Sequence, residues 1–417
     1  MKALITLFIA AFLSTFSYPQ QGWLQQQSGT SNYLYWTYFN SAGTGWTVGQ
    51  ANTLLKTTNY GMNWFVQNSG APGFIYSIFF IDGSTGWLVG QSGTIRKTTD
   101  SGSNWVPQIS GFPSNYLYSI IFTDASFGYI TGSGGLILKT TDGGNSWIQA
   151  PSGVTNTISC VSFPFSATGS VGYAVGGTAT EGIVLKTSSF GSMWTSQSLG
   201  SNWLFGVYFV SVSDGCTVGY NGTVYATSNG GDNWTLQTSG TTNRLVAVHF
   251  PSANTGYIAG YGGTILKTTN GGANWFAQTS PSANNLWGVY FIDDNTGWAA
   301  GWNGTILHTT NGGVTYLQKT GSEVPEDFIL YQNYPNPFNP FTKIRFTVPA
   351  STGVKELNVK LVIYDILGKE ISTLVDGQLS AGTYETGWNA PDYPSGIYFC
   401  RLTSGYINIT KKLVLVK

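Results

Sequence analysis

The sequence predicts an all-β chain: a seven-bladed β-propeller of four-stranded blades, followed by a C-terminal Ig-like β-sandwich. Three observations predict it. One segment recurs seven times at a near-constant period. Glycine is abundant (55 of 417 residues), and Trp, Tyr and Phe number 15, 24 and 24, a composition suited to short strands and tight turns. Beyond residue 332 the repeat gives way to a proline-dense entry and longer alternating strands.

The recurring segment reads TIRKTTDSGSNW at 94–105 and TILKTTNGGANW at 264–275. Its seven copies close on Trp64, Trp105, Trp147, Trp194, Trp234, Trp275 and Tyr316, so successive units lie 40 to 47 residues apart. A period near 40 with several short strands per unit is that of propeller blades, and no helix-period stretch interrupts it. The third unit shows the plan. YSIIF at 118–122 is the first strand, YITG at 129–132 the second and LILKTT at 136–141 the third. A hairpin turn at 142–146 follows, and Trp147 opens the fourth strand. Strands this short bury a face only when neighbouring units stack and close into a ring.

The turn before each tryptophan follows the Asp-box pattern, Ser/Thr-x-Asp/Asn-x-Gly-x-x-Trp, complete at Thr98, Asp100, Gly102 and Trp105. Its polar position is held by Asn59, Asp100, Asp142, Asn229, Asn270 and Asn311. A carboxylate or amide there accepts backbone N–H bonds inside the hairpin, glycine allows a positive φ, and the indole fills space between elements. The box is therefore a folding device. Trp23, followed by LQQQSG, matches the strand after each box, so either the Trp23 strand or the Tyr316 strand closes the ring.

These repeats resemble the photosystem II stability/assembly factor family of propellers over residues 22–320. The resemblance lies in the TTNGG…NW boxes and in the Thr-Gly-Trp strands at 85–87 and 296–298. It implies the propeller fold and, as one function, a part in assembling a membrane complex. The basic face that the family is thought to use is missing, because the propeller has only two arginines, Arg96 and Arg244.

The chain divides into a leader at 1–19, the propeller at 20–320, a linker and domain entry at 321–332, and the sandwich at 333–417. In the leader, Lys2 precedes an apolar run at 3–16 that is too short to span a bilayer, the pattern of a secretory signal. The last unit opens on Asn333, Tyr334, Pro335, Asn336, Pro337, Phe338, Asn339 and Pro340, a proline density that no central strand tolerates. With YDILG ending at Gly368, Trp388-Asn389, Gly396-Ile397-Tyr398 and the terminal Lys411-Lys412-Leu413, it resembles the type A C-terminal sorting domain of the type IX secretion system. The resemblance implies export by way of the periplasm and outer membrane, the secretion machinery as partner, and a final place outside the cell or on its surface.

Lys plus Arg and Asp plus Glu number 18 each, and only 9% of residues are charged, against roughly 25% in an ordinary soluble chain. Such a chain lacks the basic surface that nucleic acid or an anionic membrane requires. After the leader, no apolar run is long enough for a transmembrane helix. Cys160, Cys216 and Cys400 have neither a disulfide-framework nor a zinc spacing. They read as small core residues, with a Cys160–Cys216 pair as the alternative. No metal or cofactor is expected, since no ligand cluster is visible and the glycine clusters are hairpin turns, with no helix behind them to hold a phosphate.

An Asp-box glycoside hydrolase is the enzymatic alternative, and it needs two carboxylates facing one bond. Asp100 and Asp142 sit in boxes, and Asp232 lies inside another. Asp82, Asp124 and Asp293 share one turn position, with Asp214 and Asp294 in or beside it. Only Glu181, in the longer loop of the fourth unit, stands apart, and one carboxylate is not a pair. No catalytic residue is assigned. Comparison of the units points instead to binding. One variable column enters the first strand: Tyr33, Phe74, Tyr116, Thr157, Trp203, Arg244 and Asn285. Another follows the second: Gln50, Gln91, Ser133, Gly177, Tyr220, Tyr261 and Trp302. In an up-and-down blade both lie on one face. They predict a rim that holds a protein or glycan ligand through Tyr220, Tyr261, Trp302, Trp203, Arg244 and Tyr116.

Overall fold

The computed structural model describes residues 22–40, 43–164, 169–313, 318–321, 323–350, 356–390 and 393–417. The expected leader at 1–19 and Tyr316 lie outside them. The chain forms two compact units, one spanning Gly22–Val314 and one containing Thr315–Lys417.

The first unit holds seven four-stranded antiparallel sheets among the described residues. Blade 1 runs through Leu34–Phe39, Gly45–Gly49, Leu54–Thr57 and Phe65–Val66. Blades 2 to 6 repeat this meander at 75–108, 117–150, 157–198, 204–237 and 245–278. Blade 7 is composite. Leu286–Phe291, Gly297–Gly301 and Ile306–Thr309 are joined by Leu24–Gln26, whose Leu24 pairs with His308. The N-terminal strand therefore supplies the fourth strand of the last blade and closes the ring.

What holds the blades together is an aromatic sandwich repeated around the circle. In six of the seven blades, the Phe at the end of the first strand takes a flat stack from the second strand of the preceding blade. Trp298 covers Phe39, Trp46 covers Phe80, Trp87 covers Phe122, Tyr129 covers Phe163, Tyr173 covers Phe209 and Tyr257 covers Phe291, with ring centroids 3.4 to 4.1 Å apart. The box tryptophan of the same blade meets that Phe edge-on, as Trp105 meets Phe80 at 6.0 Å and 78°. These offset and edge-to-face geometries suit the aromatic quadrupole. The glycine before each second-strand aromatic is required by this packing. A Cβ on Gly86 would lie 2.5 Å from the Phe80 ring.

Where the third strand carries a lysine, in blades 1 to 4 and 6, it bolts its blade to the next. Lys56 Nζ donates to the Ser101 carbonyl at 2.7 Å, Lys97 to Gly143 at 2.7 Å and Lys267 to Gly312 at 3.1 Å. The seam between blades 5 and 6 lacks both devices. Cys216 holds the stacking position and Ala226 the lysine position, and across the seam Phe250 meets Tyr208 at 6.0 Å. All three cysteines are free, so Cys160 and Cys216 do not pair, and Cys216 is a small buried core residue.

Among the described residues, the second unit contains two four-stranded sheets. Phe338, Ile344, Phe346, Leu361, Ile363, Trp388 and Leu402 share one core, as in a β-sandwich. The sequence assigns 318–320 to the propeller and 321–332 to a linker. In the structure Gln318–Gly321 pairs with Gly382–Asn389, and Ile329–Leu330 pairs with Phe341–Val348. Edge strands of two and four residues are too short to show alternation. The proline-dense entry is fixed from within. Asn333 is buried and its Nδ2 donates to the Pro335 carbonyl and to Thr342 Oγ1, while Asn336 Oδ1 accepts the Val414 N–H at 2.9 Å. Pro340 accepts from the Ala390 N–H, and the Tyr398 hydroxyl donates to the Pro394 carbonyl. No described helix is long and apolar enough to cross a membrane.

Candidate functional site

The box residues are committed to their own turns. In blade 2 the Thr98 hydroxyl donates to Asp100 Oδ1 at 2.8 Å and accepts the Gly102 N–H at 2.9 Å. Asp100 Oδ1 accepts the Asn104 N–H at 2.9 Å. That backbone bond, with the Asn104 side chain and Thr98, holds the Asp100 carboxyl down at about 2. Asp142 is held down to about 2 in the same way, chiefly by Ser146. Asn59, Asn229 and Asn270 make the same turn bonds without charge.

The other carboxylates of the propeller are also held, in their own turns or across to a neighbouring blade. Asp82, Asp124 and Asp293 each accept two backbone N–H groups of their own turns. Asp214 accepts from Ser211 and Ser213, Asp294 from Thr255, and Asp232 pairs with Lys186 at 2.9 Å. Glu181 accepts from Asn156 Nδ2 at 3.1 Å, in the hairpin of blade 4. His308 stacks flat on Trp298 at 4.7 Å, and burial pushes its pKa down to about 4. No cluster of three His, Cys, Asp or Glu that could hold a metal occurs among the described residues.

At the opposite end of the blades the two variable columns meet. The Gln50 N–H donates to the Tyr33 carbonyl, and the same bond joins Gln91 to Phe74, Ser133 to Tyr116, Tyr220 to Trp203, Tyr261 to Arg244 and Trp302 to Asn285. Just inside this rim every first strand carries a β-bulge. The register skips from Leu34 to Trp36 in blade 1, from Ile75 to Ser77 in blade 2, and likewise in each blade to Leu286 and Gly288 in blade 7. The residue left unpaired is Tyr35, Tyr76, Tyr118, Ser159, Phe205, Val246 and Trp287 in turn. A bulge re-aims its side chain away from the normal alternation. All but Val246, whose blade is represented at that level by Arg244, add an aromatic or hydroxyl group to the wall of a central cavity of about 440 Å³. Among the described residues, no Asp or Glu lines that cavity.

The rings form a connected arc. Tyr118 meets Tyr76 at 5.1 Å, Tyr76 meets Tyr35 at 5.2 Å and Tyr35 meets Trp287 at 5.5 Å. Trp203 meets Phe205 at 5.2 Å and donates its indole N–H to Ser159. Between the two runs lies Arg244. Its guanidinium sits over Phe205 at 3.7 Å, Tyr220 at 4.7 Å, Tyr261 at 4.9 Å and Trp287 at 5.2 Å, and donates to the Tyr261 hydroxyl at 2.9 Å. Burial disfavours its charge, and no carboxylate offsets this. Deeper in, Tyr208, His249, Tyr290 and Tyr38 touch in series at 4.7 to 5.0 Å. Burial pushes the His249 pKa down to about 3, so it is neutral.

The structure thus brings Arg244, Tyr220, Tyr261, Trp302 and Trp203 together, with Trp302 stacked on Tyr33 at 4.6 Å. Tyr116 stands across the mouth, against Tyr76. The bulge residues were missing from the sequence reading. Their signal is the aromatic that recurs two residues into the first-strand column: Tyr35, Tyr76, Tyr118, Phe205 and Trp287.

Comparison with known proteins finds two family models on the chain. One, described as Photosynthesis system II assembly factor YCF48, matches residues 17–115, 108–242 and 201–280. The other, the Secretion system C-terminal sorting domain, matches residues 332–417. No curated protein matches the chain in sequence. Among solved structures, a YCF48 bound to D1 peptide is similar at 19% identity and TM-score 0.60, over 70% of this chain and 97% of that one. PorZ of Porphyromonas gingivalis, a surface component of the type IX secretion system, is similar at 13% identity and TM-score 0.55, over 94% of this chain and 60% of PorZ. An ancestral GH74 enzyme matches at 13% identity and TM-score 0.55, over 94% of this chain and 63% of that one. Likenesses at this identity speak for the fold.

Proposed function

Because the chain belongs to the photosynthesis system II assembly factor YCF48 family and carries a secretion-system C-terminal sorting domain, we propose that it is an exported, non-catalytic binding propeller whose aromatic mouth holds a glycan or protein ligand. One observation carries this reading: seven bulges aim a ring of mostly aromatic side chains into one cavity. A pocket of 300 to roughly 1,000 Å³ lined by apolar and aromatic groups with a few polar ones is the usual form of a ligand site. The sorting domain delivers the chain through the secretion machinery, by way of the periplasm, to the surface or the medium.

A hydrolase is the second reading, favoured by the GH74 neighbour. Its need for two carboxylates about one bond is not met by the cavity wall, and Glu181 alone is distinctive. The experiment incubates the full chain with neutral glycans, acidic glycans and peptides, and scores retention and new reducing ends together. Retention lost in Trp287→Ala, without new ends, supports the binding propeller. New ends formed with turnover overturn it.

A further inference from the structure

One charge in the mouth has no counter-charge. Arg244 has five N–H donors. One has an acceptor, the neutral hydroxyl of Tyr261, and the buried Nε has none. None of the ion pairs among the described residues includes Arg244. Beside it, the buried indole N–H groups of Trp287 and Trp302 also lack acceptors. The wall therefore offers donors and one cation, packed among flat apolar faces.

We propose that the ligand is an acidic glycan, and that Arg244 binds the carboxylate of a uronate residue while the surrounding rings stack on its sugar faces. The inference rests on the cavity reading above and narrows it. A carboxylate is acceptor-only and matches the guanidinium fork, which holds it bidentately. A pyranose uronate combines the two features that the wall complements, a flat face of C–H groups and a carboxylate at its rim. A phosphate group would call for several cations, and among the described residues Arg244 is the one Lys or Arg of the cavity lining.

The test is equilibrium binding of the full chain to polygalacturonate, alginate and hyaluronan, each beside its methyl-esterified, neutral counterpart. At least one acid polymer binds, and esterification weakens it about tenfold or more, the worth of a charge-assisted hydrogen bond. Arg244→Gln removes this preference for the acid, and Arg244→Lys restores part of it. Equal binding of acid and ester overturns the proposal, as does a preference that survives in Arg244→Gln. Binding confined to neutral glycans or peptides and lost in Trp287→Ala overturns the acidic ligand and leaves the cavity reading standing. No binding at all, or binding indifferent to Trp287→Ala, overturns both.

Discussion

The two ends of the blades use aromatic residues differently. At the turn end, Trp105, Trp147 and their counterparts meet a Phe of their own blade edge-on, and that Phe is covered by the neighbouring blade. Each ring has a place that one sequence position repeats around the circle. At the mouth, Tyr35, Tyr76, Tyr118 and Trp287 touch each other and an open cavity, and although aromatics recur there, the position also passes through Ser159 and Val246. Repetition marks what the fold needs, and variation marks what is left to the ligand.

The largest effect should come from the turn end. Trp87 is fully buried and stacked on Phe122 at 3.7 Å, so Trp87→Ala should cost about 3–5 kcal/mol in denaturant unfolding, with ligand retention unchanged in the folded fraction. Trp287→Ala at the mouth should do the reverse. Retention should fall about tenfold, while the unfolding midpoint moves far less, because Trp287 is only half-buried. If the two variants behave alike, the contrast between the ends is broken.

The seam between blades 5 and 6 sharpens it further. Ala226→Lys would supply the missing bolt to the Gly271 carbonyl, the counterpart of Gly143, and should add about 1 kcal/mol to stability by calorimetry. The smallest effect concerns acid. Asp100 and Asp142 are lowered to about 2, so their contribution is present above the ordinary carboxylate value and is lost as pH falls through about 2. An Asp100→Asn, Asp142→Asn double variant should therefore lose less of its thermal midpoint over that acid range than the parent does.

The blades were legible because Trp and Gly recur at fixed spacing, and each has a packing reason such as the Phe80 ring over Gly86. Which strand closes the ring was not, since the Trp23 and Tyr316 copies read alike. The rim columns were legible because they flank strand ends. The ring one step inside was missed because the unpaired residue of a bulge, such as Tyr35, breaks the alternation from which facing is read. The gathering of residues 205, 220, 261 and 287 about Arg244 needed the circle itself, since they come from three blades.

The pairing of Leu24 with His308 also sets the order in which the molecule can be completed. A chain that emerges from a pore amino end first carries Leu24–Gln26 unpaired until almost three hundred residues have followed it. Until then the growing array is an open arc with a strand edge at each end, and such edges are templates for other chains. Once blade 7 has emerged, a short clasp joins first strand to last and both edges vanish together. Proteolytic removal of residues 22–26 would reopen that clasp, leaving Ile306–Thr309 as an exposed margin on an otherwise intact array.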